Sequence, residues 1–219
     1  MTKSYYSLNE LSLPETEAVF ADTFADYPYL SQLRKTYAYV KKAHGKQTRM
    51  HVPTLYVVHL LRICIILYKY HKIADLDMLQ AALLHDVVED TKFTQADIER
   101  KFNNRVASLV KTMTRIKPKN ETPLQKFKNK QVKLKNTLQG EKELRILKAV
   151  DITDNMNDWI AIPKQNPLSK KIPRWLAEFE SSYLPLAQTL GSEYVIPMEY
   201  IYKYLLKQGY QANYTNPEK

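Results

Sequence analysis

The sequence predicts an all-α protein, a compact bundle of about eight to ten helices. Three observations carry that expectation. Nearly every segment repeats its apolar residues with a period of 3.6. No run alternates convincingly with the period of 2 that a half-buried strand would show. The breaks between segments fall on helix punctuation such as Pro14, Gly45, Thr94 and Gly140.

Taken in order, a first helix starts after Pro14, whose fixed φ suits a first helical turn. A second runs from Pro28 to His44 and stops at Gly45. Leu55 to Tyr70 reads as a buried helix, and Leu76 to Asp90 as another. Thr94-Gln95-Ala96-Asp97 resembles a capping box opening a helix over Gln95 to Phe102, and Val106 to Met113 continues the core. Pro118 and Pro123 bracket a polar break, Lys117 to Thr122. Leu124, Phe127, Leu134 and Leu138 then mark a basic amphipathic helix ending near Gly140. Glu141 to Trp159 is helical, and a Pro-rich loop, Ile162 to Pro173, follows. Helices near Trp175 to Leu190 and Pro197 to Gln208 complete the bundle, and residues from Gly209 read as a frayed end. No repeat or low-complexity linker divides the chain. The expectation is one domain over residues 1–219, with its core at about 28–208.

Length and composition narrow the function classes. At 219 residues the chain can bury one substantial core, and 44% hydrophobic with 26% charged residues is ordinary for a soluble globular protein. Only four glycines occur, with no G-x-x-x-x-G-K or G-x-G-x-x-G loop. That argues against P-loop and Rossmann sites, though not against nucleotide binding. The single cysteine, Cys64, sits in an apolar run and reads as a small buried filler, which fits a reducing compartment. Met1 to Tyr6 has no apolar signal-peptide core. The most apolar run, Leu55 to Tyr70, is interrupted by His59 and Arg62 and is too short for a bilayer. A cytoplasmic protein with no membrane association is expected.

The formal charge is +10, and the excess is concentrated. From Lys111 to Lys148 twelve basic residues face three acids, Glu121, Glu141 and Glu143. Such a block draws in a polyphosphate or a nucleic-acid backbone. A solvated helix face explains it equally well.

The chemistry is concentrated in Leu84-His85-Asp86-Val87-Val88-Glu89-Asp90. On a helix Asp86, Glu89 and Asp90 stand at i, i+3 and i+4, so their carboxylates share one face. The flanking Ala81, Ala82, Leu83, Leu84, Val87 and Val88 mark that helix as largely buried. Crowded, partly desolvated carboxylates repel one another, and a cation is the simplest compensation. His59 lies on an otherwise apolar helix face, where a histidine is more often a hydrogen-bonded core residue. Asp151 shares a face with Lys148, Asp154 and Asn155, a setting more usual for a capping or salt-bridging aspartate. Together, however, His59, His85, Asp86 and Asp151 make a mixed N/O set. It suits a divalent first-row metal such as Mn, Fe or Zn better than Ca or Mg.

The order H…HD…D, with HD followed by x-x-E-D, resembles the HD-domain metal-dependent phosphohydrolases. Within them the chain resembles the hydrolase domain of RelA/SpoT homologues, which degrade the alarmone (p)ppGpp. Ala43-His44-Gly45-Lys46-Gln47-Thr48-Arg49 is similar to A-H-x-G-Q-x-R, and Tyr56-Val57-Val58-His59 to Y-I-x-H. Leu83 to Asp90 resembles L-L-H-D-V-V-E-D-T, and Lys111 to Arg115 resembles V-T-K-L. Lys148, Asp151 and Asn155 fit K-L-A-D-R-L-x-N, and Tyr183 to Gly191 resembles Y-A-P-L-A-x-R-L-G. These similarities span about residues 34 to 191 in the correct order.

The resemblance implies an HD-domain helical bundle of the stand-alone small alarmone hydrolase type, without synthetase or regulatory domains. By matching position it makes His59, His85, Asp86 and Asp151 ligands of Mn²⁺, and Glu89 and Asp90 the catalytic acidic pair. Arg49 matches an arginine packing on the purine base, and Asn155 a ribose contact. Lys148 falls near phosphate or behind the metal ligands. The implied reaction removes pyrophosphate from the ribose 3′ position of a purine nucleotide alarmone. Two departures bear on the substrate pocket. Arg49-Met50-His51-Val52-Pro53-Thr54-Leu55-Tyr56 stands where the family reads R-K-x-G-x-P-Y, with one residue more and without the Lys and Gly. Met156-Asn157-Asp158 lacks the arginine that often follows the family's Asn. A pyrophosphorylated tRNA 3′ end, ppApp or NADPH are therefore rival substrates, and a catalytically silent nucleotide-sensing module is the non-enzyme alternative. The sequence leaves the oligomeric state open.

Overall fold

The computed structural model describes residues 7–50, 53–115, 118 and 120–213. The chain divides into two compact units, residues 1–116 and 117–219. Among the described residues there is no named strand, only an isolated antiparallel bridge between Thr48 and Leu55, so the all-α expectation holds.

In the first unit a 3-10 turn, Ser7–Glu10, leads into α1 (Leu13–Thr23), α2 (Leu30–His44), α3 (Val57–Lys69), α4 (Leu76–Leu84), α5 (Val87–Asp90), α6 (Gln95–Lys101) and α7 (Asn104–Met113). Local chemistry sets the starts. Glu15 reaches back to accept the Ser12 backbone N–H at 2.8 Å, closing a capping box around Pro14. Asp97 does the same for Thr94 at 2.8 Å, as the sequence predicts. Asp75 and Asn103 cap α4 and α7 by accepting the N–H of Met78 and of Val106, each at 2.9 Å. Gly45, with φ +54°, ends α2 in a conformation that L side chains rarely adopt.

The hub of this unit is α3, in which every residue from Val57 to Leu67 is buried. It packs against α1 and α4, and α4 in turn against α2 and α7. Large apolar side chains removed from water stabilise by roughly 1.5–3 kcal/mol each, so a helix buried on all sides is a rigid platform. Cys64 is one of its fillers: its buried thiol points at the Leu79 carbonyl, and burial raises its pKa well above the ordinary value.

The second unit comprises α8 (Pro123–Gln139), α9 (Lys142–Ile160), a 3-10 turn at Pro167–Lys171, α10 (Ile172–Glu178), a π-turn at Phe179–Tyr183, α11 (Leu184–Gln188) and α12 (Ser192–Lys207). Thr122 and Gln125 cap α8 reciprocally. The long α9 packs against α8, α11 and α12, and Trp159 stacks on Trp175 at 5.1 Å between centroids. At the π-turn the half-buried Tyr183 donates its phenol proton to Glu178 Oε2 at 2.9 Å.

Three expectations change. The helix read as Leu76 to Asp90 is two pieces, because His85 and Asp86 form a turn between α4 and α5. The helix read from Trp175 to Leu190 starts earlier and is divided into α10, the π-turn and α11. The last helix begins at Ser192, five residues before Pro197, which lies inside it. Counting each divided helix once, the described residues hold ten α-helices. The readings placed on Met1 to Tyr6, on His51 and Val52, and on the chain end beyond residue 213 lie outside the described residues, as does part of the break at Lys117 to Thr122.

Candidate active site

Three of the four expected ligands come together in the first unit. His59 lies on buried α3, and His85 and Asp86 lie in the turn after α4. Both imidazoles are buried, and their ligating nitrogens lie within 4.8 Å of each other. Asp86 Oδ2 sits 3.1 Å from His85 Nε2 and 3.8 Å from His59 Nε2. His85 Nδ1 is 2.8 Å from the Ala82 carbonyl oxygen. A carbonyl can only accept, so Nδ1 carries the proton, and in the neutral form of the ring Nε2 presents its lone pair towards Asp86. In that form a lone pair facing a carboxylate oxygen at 3.1 Å is repulsive, and a cation shared between them makes the contact attractive. The donor set, two imidazole nitrogens and a carboxylate, fits a first-row divalent ion.

The turn between α4 and α5 makes this convergence possible. Asp86 has φ −101° and ψ −4°, in the bridge region where many active-site residues sit. Its carbonyl still accepts the Asp90 N–H at 2.9 Å, so the one-turn relationship between Asp86 and Asp90 survives the interruption.

Asp86 is also held by Tyr56, whose phenol donates to the same Oδ2 at 2.5 Å. Burial pushes the Tyr56 pKa upward, and the Asp86 charge pushes it further, so the phenol keeps its proton. The Tyr56 ring stacks on His44 at 4.8 Å with planes 7° apart, and the Arg49 guanidinium lies 5.2 Å from its centroid. Burial also lowers the His44 pKa below 6.5, against a raising contribution from the Gln47 hydrogen bond. The Thr48–Leu55 bridge fixes this corner: Arg49 N–H donates to the Thr54 carbonyl and Tyr56 N–H to the Gln47 carbonyl, each at 2.8 Å. The bridge therefore closes the base of the loop in which this chain departs from the family pattern.

Of the expected acidic pair, Glu89 is oriented by Arg115. The Arg115 backbone N–H donates to Oε2 at 2.8 Å, and the guanidinium Nε stands 3.8 Å from Oε1. Asp90 is half-buried on the same short helix.

In the second unit Asp151 is buried on α9. Lys148 Nζ donates to its Oδ2 at 2.7 Å and Asn155 Nδ2 to its Oδ1 at 2.6 Å. Two of the three residues expected at the substrate, Lys148 and Asn155, thus also grip the carboxylate of an expected ligand. Asn157, which stands where the family often has an arginine, is buried.

Tyr56 and Arg115 were not singled out by sequence as site residues. Both sit in motifs that resemble the family's, and Tyr56 lies three residues before His59, one helical turn away. The signal was present and had no chemistry attached to it. A cavity of about 400 Å³ lined by Asp22, Thr23, Tyr68, Lys69, Lys72 and Ala74 contains none of these residues.

The HD-domain family profile matches residues 36–191. The chain belongs to the HD-domain family. Among relatives, it is 32% identical over 135 residues to guanosine-3′,5′-bis(diphosphate) 3′-pyrophosphohydrolase MESH1 of Drosophila melanogaster, covering 61% of this chain and 72% of that one. That coverage places it with the RelA/SpoT homologues inside the HD-domain family. It is 30% identical over 203 residues to the guanosine-3′,5′-bis(diphosphate) 3′-pyrophosphohydrolase of Vibrio cholerae, covering 90% of this chain. The HD-domain chain spans about a quarter, 26%, of that protein's length. A solved structure described as a metazoan ortholog of SpoT that hydrolyzes ppGpp superimposes with a TM-score of 0.68 at 23% identity. It covers 79% of this chain and 94% of that one, and it shows that the fold is shared.

Proposed function

We propose that this HD-domain protein hydrolyses the 3′-pyrophosphate of (p)ppGpp-type alarmones, yielding pyrophosphate and GDP or GTP, with Mn²⁺ as cofactor. The observation that carries this reading is the convergence of His59, His85 and Asp86, with the His85 tautomer set by the Ala82 carbonyl. Relatives 30% and 32% identical to the chain bear the name of that activity. We read the chain as one functional domain with Asp151 as the fourth ligand, a reading supported by the continuity of the family match over residues 36–191.

When bound, the ion supplies Lewis-acid charge at the phosphoryl oxygen and lowers the pKa of a coordinated water. The protein's own groups supply the rest. Glu89, set in place by Arg115, takes the proton of the attacking water, and Asp90 orients the water or protonates the leaving oxygen. Arg49, resting on the Tyr56 ring, offers its outer face to the purine. Lys148 and Asn155 hold Asp151 and stand ready for phosphate and ribose. The basic 111–148 segment offsets the charge of a substrate with several phosphates.

That same segment favours a second reading, a pyrophosphorylated tRNA end. The test of both is a product screen with ppGpp, pppGpp, ppApp, NADPH and pyrophosphorylated tRNA, with Mn²⁺ and then with chelator. Pyrophosphate release from ppGpp that chelator abolishes is the expected result. Turnover of tRNA alone would replace the first reading by the second, and metal uptake with no turnover on any of them would favour a nucleotide sensor.

A further inference from the structure

We propose that Tyr56 is a positioning residue that ties the substrate-facing Arg49 to the metal-facing Asp86. The inference rests on the metal reading given above and adds a residue that acts through one of its ligands. One side chain makes both contacts. Its hydroxyl is bonded to Asp86 Oδ2 at 2.5 Å, and its ring supports the Arg49 guanidinium at 5.2 Å.

The phenol is well suited to this work. It is fixed at both ends, by its backbone N–H bond to the Gln47 carbonyl and by stacking on His44, whose own Nδ1 is tied to Gln47 Oε1 at 2.8 Å. It meets the His59 ring edge-on at 5.8 Å. A carboxylate oxygen has two lone-pair directions. With the phenol proton on one of them, Oδ2 keeps the other for an ion held with His85 Nε2 and His59 Nε2, which stand 3.1 and 3.8 Å from it. Partners that orient metal ligands in this way are worth 10- to 100-fold in metal affinity. A packing residue of the same shape needs only the ring, so the hydroxyl alone separates the two roles.

The experiment uses the full chain with Tyr56→Phe, which keeps the ring, the stack and the support for Arg49. Mn²⁺ affinity is read by following free Mn²⁺ in solution, and ppGpp turnover is read separately. The Kd for Mn²⁺ should rise roughly 10-fold or more. Turnover should be lost at limiting Mn²⁺ and recovered as Mn²⁺ is raised, with KM for ppGpp within about twofold. Arg49→Ala should show the opposite split, a raised KM with unchanged Mn²⁺ affinity. In a double-variant cycle, Tyr56→Phe should add nothing to Asp86→Asn if Tyr56 works through that carboxylate. Equal Mn²⁺ affinity in wild type and Tyr56→Phe would overturn the inference while the hydrolase reading stood. Wild type that binds Mn²⁺ without cleaving ppGpp overturns the substrate alone, because the metal readout still decides Tyr56. Wild type that takes up no Mn²⁺ overturns both.

Discussion

Arg115 holds Glu89 twice, through its backbone N–H at 2.8 Å and through its guanidinium at 3.8 Å. The two contacts are separable. Glu89→Gln keeps an acceptor for the N–H but cannot take a proton. Turnover should fall by about 10²–10⁴, the usual worth of a general base, with Mn²⁺ affinity unchanged. Arg115→Ala removes only the guanidinium and should cost about tenfold, since the backbone bond still orients the carboxylate. Steady-state pyrophosphate release measures both, and wild-type turnover in Glu89→Gln would remove Glu89 from the proton-transfer role.

Removal of the ion should silence the protein without unfolding its helices. Chelation, or His85→Ala, should abolish both Mn²⁺ uptake and ppGpp cleavage while the far-ultraviolet dichroism stays helical, because α3 and α4 are held by apolar packing. Hydrolysis that persists in His85→Ala would remove that imidazole from the ligand set.

Acid should weaken the fold through His44. Burial lowers its pKa in the folded state below 6.5. Above 6.5 the ring is neutral in both states and costs nothing. As pH falls through 6.5 the unfolded chain binds the proton first, so stability declines until the folded ring also titrates. The Tm of the wild type should therefore drop more between pH 7 and pH 5 than that of His44→Gln. Equal drops in the two proteins would show that His44 contributes nothing to the acid sensitivity.

Ionic strength distinguishes a small nucleotide from a polynucleotide. Binding to a phosphate backbone by the basic 111–148 segment releases counterions, and affinity then falls about 10³–10⁵-fold between 50 and 200 mM salt for 6–10 phosphate contacts. Cleavage of ppGpp should show a far shallower dependence. A fall of that size for ppGpp would point to binding by an open charged surface.

The platform beneath the histidines should be costly to hollow out. Leu79 on α4 is fully buried, and its carbonyl faces Cys64 of α3. Leu79→Ala should destabilise by about 2–5 kcal/mol in urea unfolding. A change below about 1 kcal/mol would mean that the site collapses to refill the void.

Much of this is legible in the amino-acid sequence. The period of 3.6 and the Thr94 capping box located the helices, because local hydrogen bonding and burial of one face set both. His85, Asp86, Glu89 and Asp90 stood out because charge in an apolar segment demands an explanation. The interruption at His85 and Asp86 was not legible, since Leu84 and Val87 continue the helical pattern on either side and no Gly or Pro marks the turn. The π-turn at Phe179–Tyr183 does carry a mark, Pro185, which has no N–H to donate to the Ser181 carbonyl four residues back, but a proline there reads equally well as a helix start. Tyr56 looked like one more of sixteen tyrosines, because a phenol reveals its role only when its hydrogen-bond acceptor is known.

The turn at His85 and Asp86 also limits what can be borrowed from this protein. Neighbouring residues on an uninterrupted helix point about 100° apart around the axis. Here an imidazole and the carboxylate that follows it directly in the chain meet at 3.1 Å. Grafting H-D-x-x-E-D onto an ideal straight helix would reproduce the letters and scatter the donors. A designer who wants this chemistry must transplant the bend along with the motif.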